Sequence, residues 1–169
     1  MKNILLLLAT ILTVTLAQGQ DLRADISGNA GFDGTQFNVT EAGEDFPSAI
    51  TSSSTLSLSL RYTSNWAVWF GSNIPWQVLI HKSDLEWNNN LDLQIRRDGS
   101  GSKASFFGGN PSIYGGDNYQ SVTNNPSLFF YGRYGVLNIP LTLKLTGASL
   151  VMGAESFETS IVFTVYENW

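Results

Sequence analysis

The chain has 169 residues, 14% of them charged and 12% aromatic, with no cysteine and a net charge of −5. A mildly acidic balance excludes a nucleic-acid binder, which needs clustered Lys and Arg to neutralise phosphate, and argues against an anionic lipid surface. Without cysteine there is no disulfide staple, so the fold rests on its core alone.

Met1 to Gly19 read as a secretory signal peptide. Lys2 supplies the positive start, Ile4 to Leu16 the apolar centre, and Ala17 and Gly19 the small residues at −3 and −1. Cleavage before Gln20 leaves 150 residues with eight basic and 14 acidic side chains, a charge of −6. It also removes the one long apolar run, so no transmembrane helix is expected in the mature chain. The expected location is the periplasm, the cell surface or the medium. Gln20 is not a cysteine, which excludes lipid attachment there. Asn38-Val39-Thr40 fits a glycosylation sequon, a triplet that also arises by chance.

After residue 20 the recurring pattern is alternation with period two, the mark of strands with one buried face. Leu22-Ala24-Ile26 opens the series. Residues 28 to 54, rich in Gly, Ser, Thr and acids, form a long loop or an edge. Leu56, Leu58 and Leu60 alternate with polar residues. Trp66 to Phe70 and Trp76 to Ile80 are aromatic and β-branched strands. Parity puts Trp66, Val68 and Phe70 in the core, with Trp76, Val78 and Ile80, and turns Trp69 to the opposite face. Leu91, Leu93 and Ile95 alternate again. Ser127 to Tyr131, Ile139 to Leu145, Ser149 to Met152 and Ile161 to Tyr166 complete the set. Gly- and Asn-rich clusters at 71–73, 98–102, 115–118 and 124–126 supply the turns. With no linker and no fixed repeat, the expectation is one domain at residues 20–169. Its fold class is all-β: a single immunoglobulin-like or jelly-roll antiparallel β-sandwich. Pro140 cannot donate to a ladder, so its strand is expected at an edge or bulged there.

Catalytic chemistry is sparse. His81 is the only histidine, and no G-x-S-x-G elbow accompanies it. One histidine and no cysteine supply no zinc set. Gly99 to Ala104 match G-x-G-x-x-A, but Ser105-Phe106-Phe107-Gly108-Gly109 cannot continue as the helix a dinucleotide site needs. Asp98 and Asp117 lack the spacing of a calcium loop, with Gly109 where its glutamate belongs. Acids such as Glu41 to Asp45 cluster in loops. No enzyme, cofactor or metal is expected. Trp87, in Glu86-Trp87-Asn88-Asn89-Asn90, offers a flat apolar face beside hydrogen-bonding groups, as a sugar ring requires. Alternatively it plugs the end of the sandwich.

Tyr131-Gly132-Arg133, then an alternating strand, then Gly153 to Ser160 and the closing strand Ile161 to Tyr166 resemble small secreted bacterial sandwich proteins of the spore-coat-U and fimbrial-subunit kind. The likeness covers the C-terminal quarter. It implies an immunoglobulin-like sandwich and a role in surface assembly. The chain departs from those families in lacking their cysteine pair and in carrying three residues after Tyr166.

Three functions follow as expectations. The first is a secreted, non-enzymatic surface structural or adhesion subunit that pairs strand edges with itself or other subunits, through Ile139, Leu141 and Leu143 or through Ile161, Phe163 and Val165. The second is a carbohydrate-binding module that grips a glycan with Trp87 and Trp69. The third is a small eight-stranded outer-membrane barrel, suggested by the aromatic Trp169 after an alternating strand and opposed by Glu167 on the same row.

Overall fold

Alternating apolar residues give two sheets that bury their inner faces against each other. The computed structural model describes residues 9–16, 21–32, 45–53, 55–152 and 157–167. The strands are β1 (Ala9–Leu16), β2 (Leu22–Ser27), β3 (Ala49–Thr51), β4 (Leu56–Tyr62), β5 (Pro75–Glu86), β6 (Asp92–Arg97), β7 (Ser102–Lys103), β8 (Ser112–Tyr114), β9 (Gln120–Ser121), β10 (Ser127–Arg133), β11 (Val136–Thr146) and β12 (Glu158–Glu167). A helix, α1 (Asn65–Phe70), joins β4 to β5, and a 3-10 turn spans Leu150–Met152. The first sheet runs β1-β12-β5-β10-β8, the second β2-β4-β11-β6-β9, with β3 and β7 also on β11. All pairings are antiparallel except β1 with β12. This is an all-β sandwich. Two separate sheets replace the single closed sheet expected of a small barrel. No helix is long and apolar enough to cross a membrane.

Parity places the core. Leu58, Leu60, Val78, Ile80, Ile95, Ile139, Leu141, Leu143, Ile161, Phe163 and Val165 are all fully buried. Trp76 meets Phe130 edge to face, with centroids 6.1 Å apart. Its indole N–H donates to the Tyr134 carbonyl at 2.7 Å. Gly132 lies under the same ring, where a Cβ would come within 2.7 Å of the indole. A bulge between Leu128 and Phe130 lets the adjacent Phe129 and Phe130 both turn inward, which strict alternation forbids.

Four expectations change. β11, which carries Ile139, Leu141 and Leu143, is not an edge. β4 and β3 flank it on one side, β7 and β6 on the other. Pro140 is tolerated because its N side faces the point where β6 has just ended. There its carbonyl accepts from Asp98 N at 2.8 Å, and the ladder with β4 shifts register between Val136 and Ile139. Pro140 itself stays in register with Ser57, so neither an edge nor a bulge at the proline is what places it. Trp66 to Phe70 form α1 instead of a strand. β4 belongs to one sheet and β5 to the other, so the chain must cross the end of the sandwich here. Ser64 starts the helix by accepting from Val68 N at 3.0 Å. Trp66, Val68 and Phe70 are accordingly exposed. The expected strand Ser149 to Met152 is a 3-10 turn over Leu150–Met152, at whose start Asp45 accepts from Ser149 Oγ and Leu150 N at 2.6 and 2.7 Å. These bonds hold the Asp45 carboxyl below its usual range. Within residues 28–54, β3 is an additional strand on β11. Lys2, the cleavage site at 17–20, the triplet 38–40, residues 41–44 and Trp169 lie outside the described residues.

Replacing Trp76 by alanine removes the largest buried side chain. Urea denaturation followed by circular dichroism is expected to show a loss of about 3–5 kcal/mol. Trp76→Phe keeps most of the volume but leaves the Tyr134 carbonyl without its donor, and is expected to lose about 1–3 kcal/mol.

Candidate functional site

A sheet can offer two kinds of binding surface: a strand edge or the side chains of its connections. Both occur here. Among the described residues, three of the four sheet edges are blunted. β8 and β9 are three and two residues long. β2 carries Arg23 and Asp25, paired at 2.8 Å, on its outer face. The fourth edge is different. β12 pairs with β5 along one side, and its other side is taken by β1 in parallel register from Ala9↔Glu158 to Leu16↔Val165. Residues 9–16 lie inside the predicted leader.

The interior side of β12 is firmly held. Ile161, Phe163 and Val165 point into the core, and on the side away from β5 they lie in register with Leu12, Val14 and Leu16 of β1. Buried Thr159 Oγ1 donates to Asp84 Oδ1 at 2.8 Å. Lys82 Nζ, on the same side of β5, donates to both Asp84 oxygens at 2.9 and 2.7 Å. Burial alone would raise the Asp84 carboxyl. The bonds from Lys82, Thr159 and Asn124, with the Lys82 charge, outweigh it and hold the group below its usual range. At the other end of β12, burial pushes the Glu167 carboxyl up, and the charge of Asp21 adds to the effect.

The second surface lies where the chain crosses between sheets. Phe107 N donates to the Trp69 carbonyl at 2.8 Å, which bonds the loop at residues 104–109 to α1. Trp69 stacks on Phe106 and Phe107 with centroids 5.1 and 6.4 Å apart. Phe70 meets Phe107 at 6.1 Å and Trp66 at 4.2 Å. All five rings are exposed, Trp66, Phe106 and Phe107 to 70% or more. A cleft of ≈ 60 Å³ lies behind them, lined by Arg61, Tyr62, Val68, Ala104, Ser105 and Gly135. Burial pushes the Tyr62 hydroxyl up to about 12. A Ser72 hydrogen bond opposes that rise and the Glu167 charge adds to it. Arg97 fixes the loop's roots: Nε donates to Gly115 O at 2.5 Å, Nη1 to Gly99 O at 3.2 Å, and Nη2 pairs with Asp117 at 2.6 Å. Gly101, at φ 65°, makes the turn into β7.

Of the two tryptophans read as sugar contacts, Trp69 is in this exposed cluster and Trp87 is not. Trp87 is half-buried against both core clusters. Its N–H donates to Leu91 O at 3.1 Å, and Lys82 Nζ sits 4.7 Å from its ring centre. That is the plug at the end of the sandwich. Trp66, Phe70, Phe106 and Phe107 were missed as surface residues. One signal was available: Phe106-Phe107 are adjacent between Ser105 and Gly108-Gly109, so a regular strand buries one at most. His81 pairs with Val162 within the sheet. Among the described residues no three of His, Asp and Glu gather as a metal set. No family model matches the chain, and no curated protein or solved structure matches it.

The Asp84 clamp carries a pH signature. Its lowered carboxyl contributes stability above the ordinary carboxylate range, and that stability is lost as pH falls through the folded-state value. Asp84→Asn is expected to lower stability at pH 7 by about 1–2 kcal/mol. In urea melts repeated at falling pH, the gap to wild type is expected to close below about pH 4.

Proposed function

We propose that residues 1–19 are an export leader, and that residues 20–169 act as a non-enzymatic structural or adhesion subunit at a bacterial cell surface, fimbrial-like in that it assembles by pairing the free edge of β12 with a strand of another subunit or a second copy. One observation carries this reading: among the described residues, the β12 edge is covered by residues 9–16 alone. Cutting the leader takes that cover away. It leaves a ten-residue strand whose charges, Glu158 and Glu167, stand only at its ends. Unpaired N–H and C=O groups along such an edge favour the addition of a strand. The C-terminal likeness to spore-coat-U and fimbrial subunits supports the same reading. The glycan reading has less support, because Trp87 is engaged within the fold and Trp69 is stacked on phenylalanines.

The test compares residues 20–169 with the full chain on native gels, with and without heating. The shortened protein is expected to give a heat-sensitive ladder of multiples, and the full chain a single species. A synthetic peptide of residues 9–16 is expected to dissolve the ladder by capping β12. A single monomeric band for residues 20–169 overturns the proposal.

A further inference from the structure

The acidic total charge conceals a segregation. Of the eight described basic residues, four are ion-paired: Arg23 with Asp25, Lys82 with Asp84, Arg96 with Asp98 and Arg97 with Asp117. Lys144 sits over the Tyr119 ring at 4.1 Å. Arg61, Lys103 and Arg133 have no ion-pair partner among the described residues, and all three stand on strands that lead to or from the segments carrying the aromatic cluster. Arg61 stands in β4 just before α1, and it lines the cleft behind the helix. Lys103 opens the loop that carries Phe106 and Phe107, and pairs in register with Val136. Arg133 pairs with Pro75 at the end of the connection that follows α1. The sequence has no Asp or Glu between residues 46 and 83 or between 99 and 116, the stretches that build this end. On β2, Arg23 lies opposite Arg61 and holds Asp25 in its own ion pair, and Glu167, at the end of β12, is buried.

We infer that this end of the sandwich docks on an anionic lipid surface, with Trp66, Trp69, Phe70, Phe106 and Phe107 entering the interface and Arg61, Lys103 and Arg133 meeting the headgroups. Indole and phenyl rings favour the boundary between headgroups and chains, and an apolar patch flanked by cations is the pattern of a protein that lies on a membrane without spanning it. A cluster of this kind on a monomer marks a contact surface. Its rings pack on one another at 4.2–6.4 Å into one apolar surface, with no hydrogen-bonding side chain set among them as a sugar requires. Its backbone is helix and tight loop, which leaves no edge for a strand. Cations with no ion-pair partner among the described residues favour a negative partner, and each adds to attraction toward anionic lipid. The inference is independent of the β12 edge, which lies on a different element.

The test is co-sedimentation of the full chain with vesicles of phosphatidylcholine, alone or with a quarter phosphatidylglycerol, at low salt. Residues 1–19 are common to every variant, so each variant is read against wild type on the same vesicles. Wild type is expected to bind the anionic vesicles better than the neutral ones. The variant Trp66→Ser/Phe106→Ser/Phe107→Ser changes only exposed side chains and is expected to keep its circular dichroism and lose at least tenfold in binding. Arg61→Gln/Lys103→Gln/Arg133→Gln is expected to erase the preference for anionic vesicles. Equal binding of wild type to both vesicles overturns the inference, as does unchanged binding of the aromatic variant. It also falls if wild type self-associates without lipid while the aromatic variant is monomeric, because the patch is then a contact between copies. Loss of the β12 ladder on native gels with vesicle binding intact, or the reverse, tells which of the two readings has failed.

Discussion

Four strands hydrogen-bond directly to β11, and the rest of the second sheet hangs from those four. The constraint this imposes is parity. Once Ile139, Leu141, Leu143 and Leu145 face inward, every partner in register with them has its own inward set decided, because a slip of one residue would turn a whole row to water. Leu58 lies opposite Ile139, Ile95 opposite Leu143, and Leu93 opposite Leu145. The apolar rows written along each strand are thus mutually consistent, and that agreement selects one pairing out of many.

Much of the core was legible for this reason. The rows at 56–60, 76–80, 91–95, 139–145 and 161–165 read directly as strands with one buried face. What alternation does not encode is who sits next to whom. Pro140 looked like an edge residue because a missing N–H is tolerated there. It is equally tolerated beside a strand that stops one residue short, and only the pairing of β6 reveals that. The segment Trp66 to Phe70 has the composition of a strand, yet it falls where the chain passes from one sheet to the other. Topology overrides propensity there. The turn at Leu150–Met152 is bonded at its start by Asp45, about a hundred positions away in sequence, and no local pattern signals it.

The candidate surfaces were less legible than the core. Trp87 had the surroundings of a sugar contact, and its role as a plug is decided by a carbonyl four residues on and by Lys82 from the neighbouring strand. The aromatic end was hidden because its rings come from two segments more than thirty residues apart. Net charge gave no warning either, since four local pairs and the Tyr119 ring engage five of the eight described cations and leave Arg61, Lys103 and Arg133. The two surfaces use different physics. As proposed, the β12 edge would offer backbone groups in a fixed direction once β1 is gone, whereas the aromatic end would offer area and charge with little directional demand.

Arg97 has a bearing on how this protein can vary. One buried guanidinium holds Gly99, Gly115 and Asp117, so both roots of the aromatic excursion are fastened to the sandwich by a residue outside it. β7 and β8 fasten it again further out. The entropic penalty of closing a loop grows only slowly with its length. The stretch between β7 and β8 can therefore lengthen, shorten or exchange its rings while the sheets beneath keep their register. A lineage carrying this scaffold is free to change the side chains at its tip without redesigning how it folds.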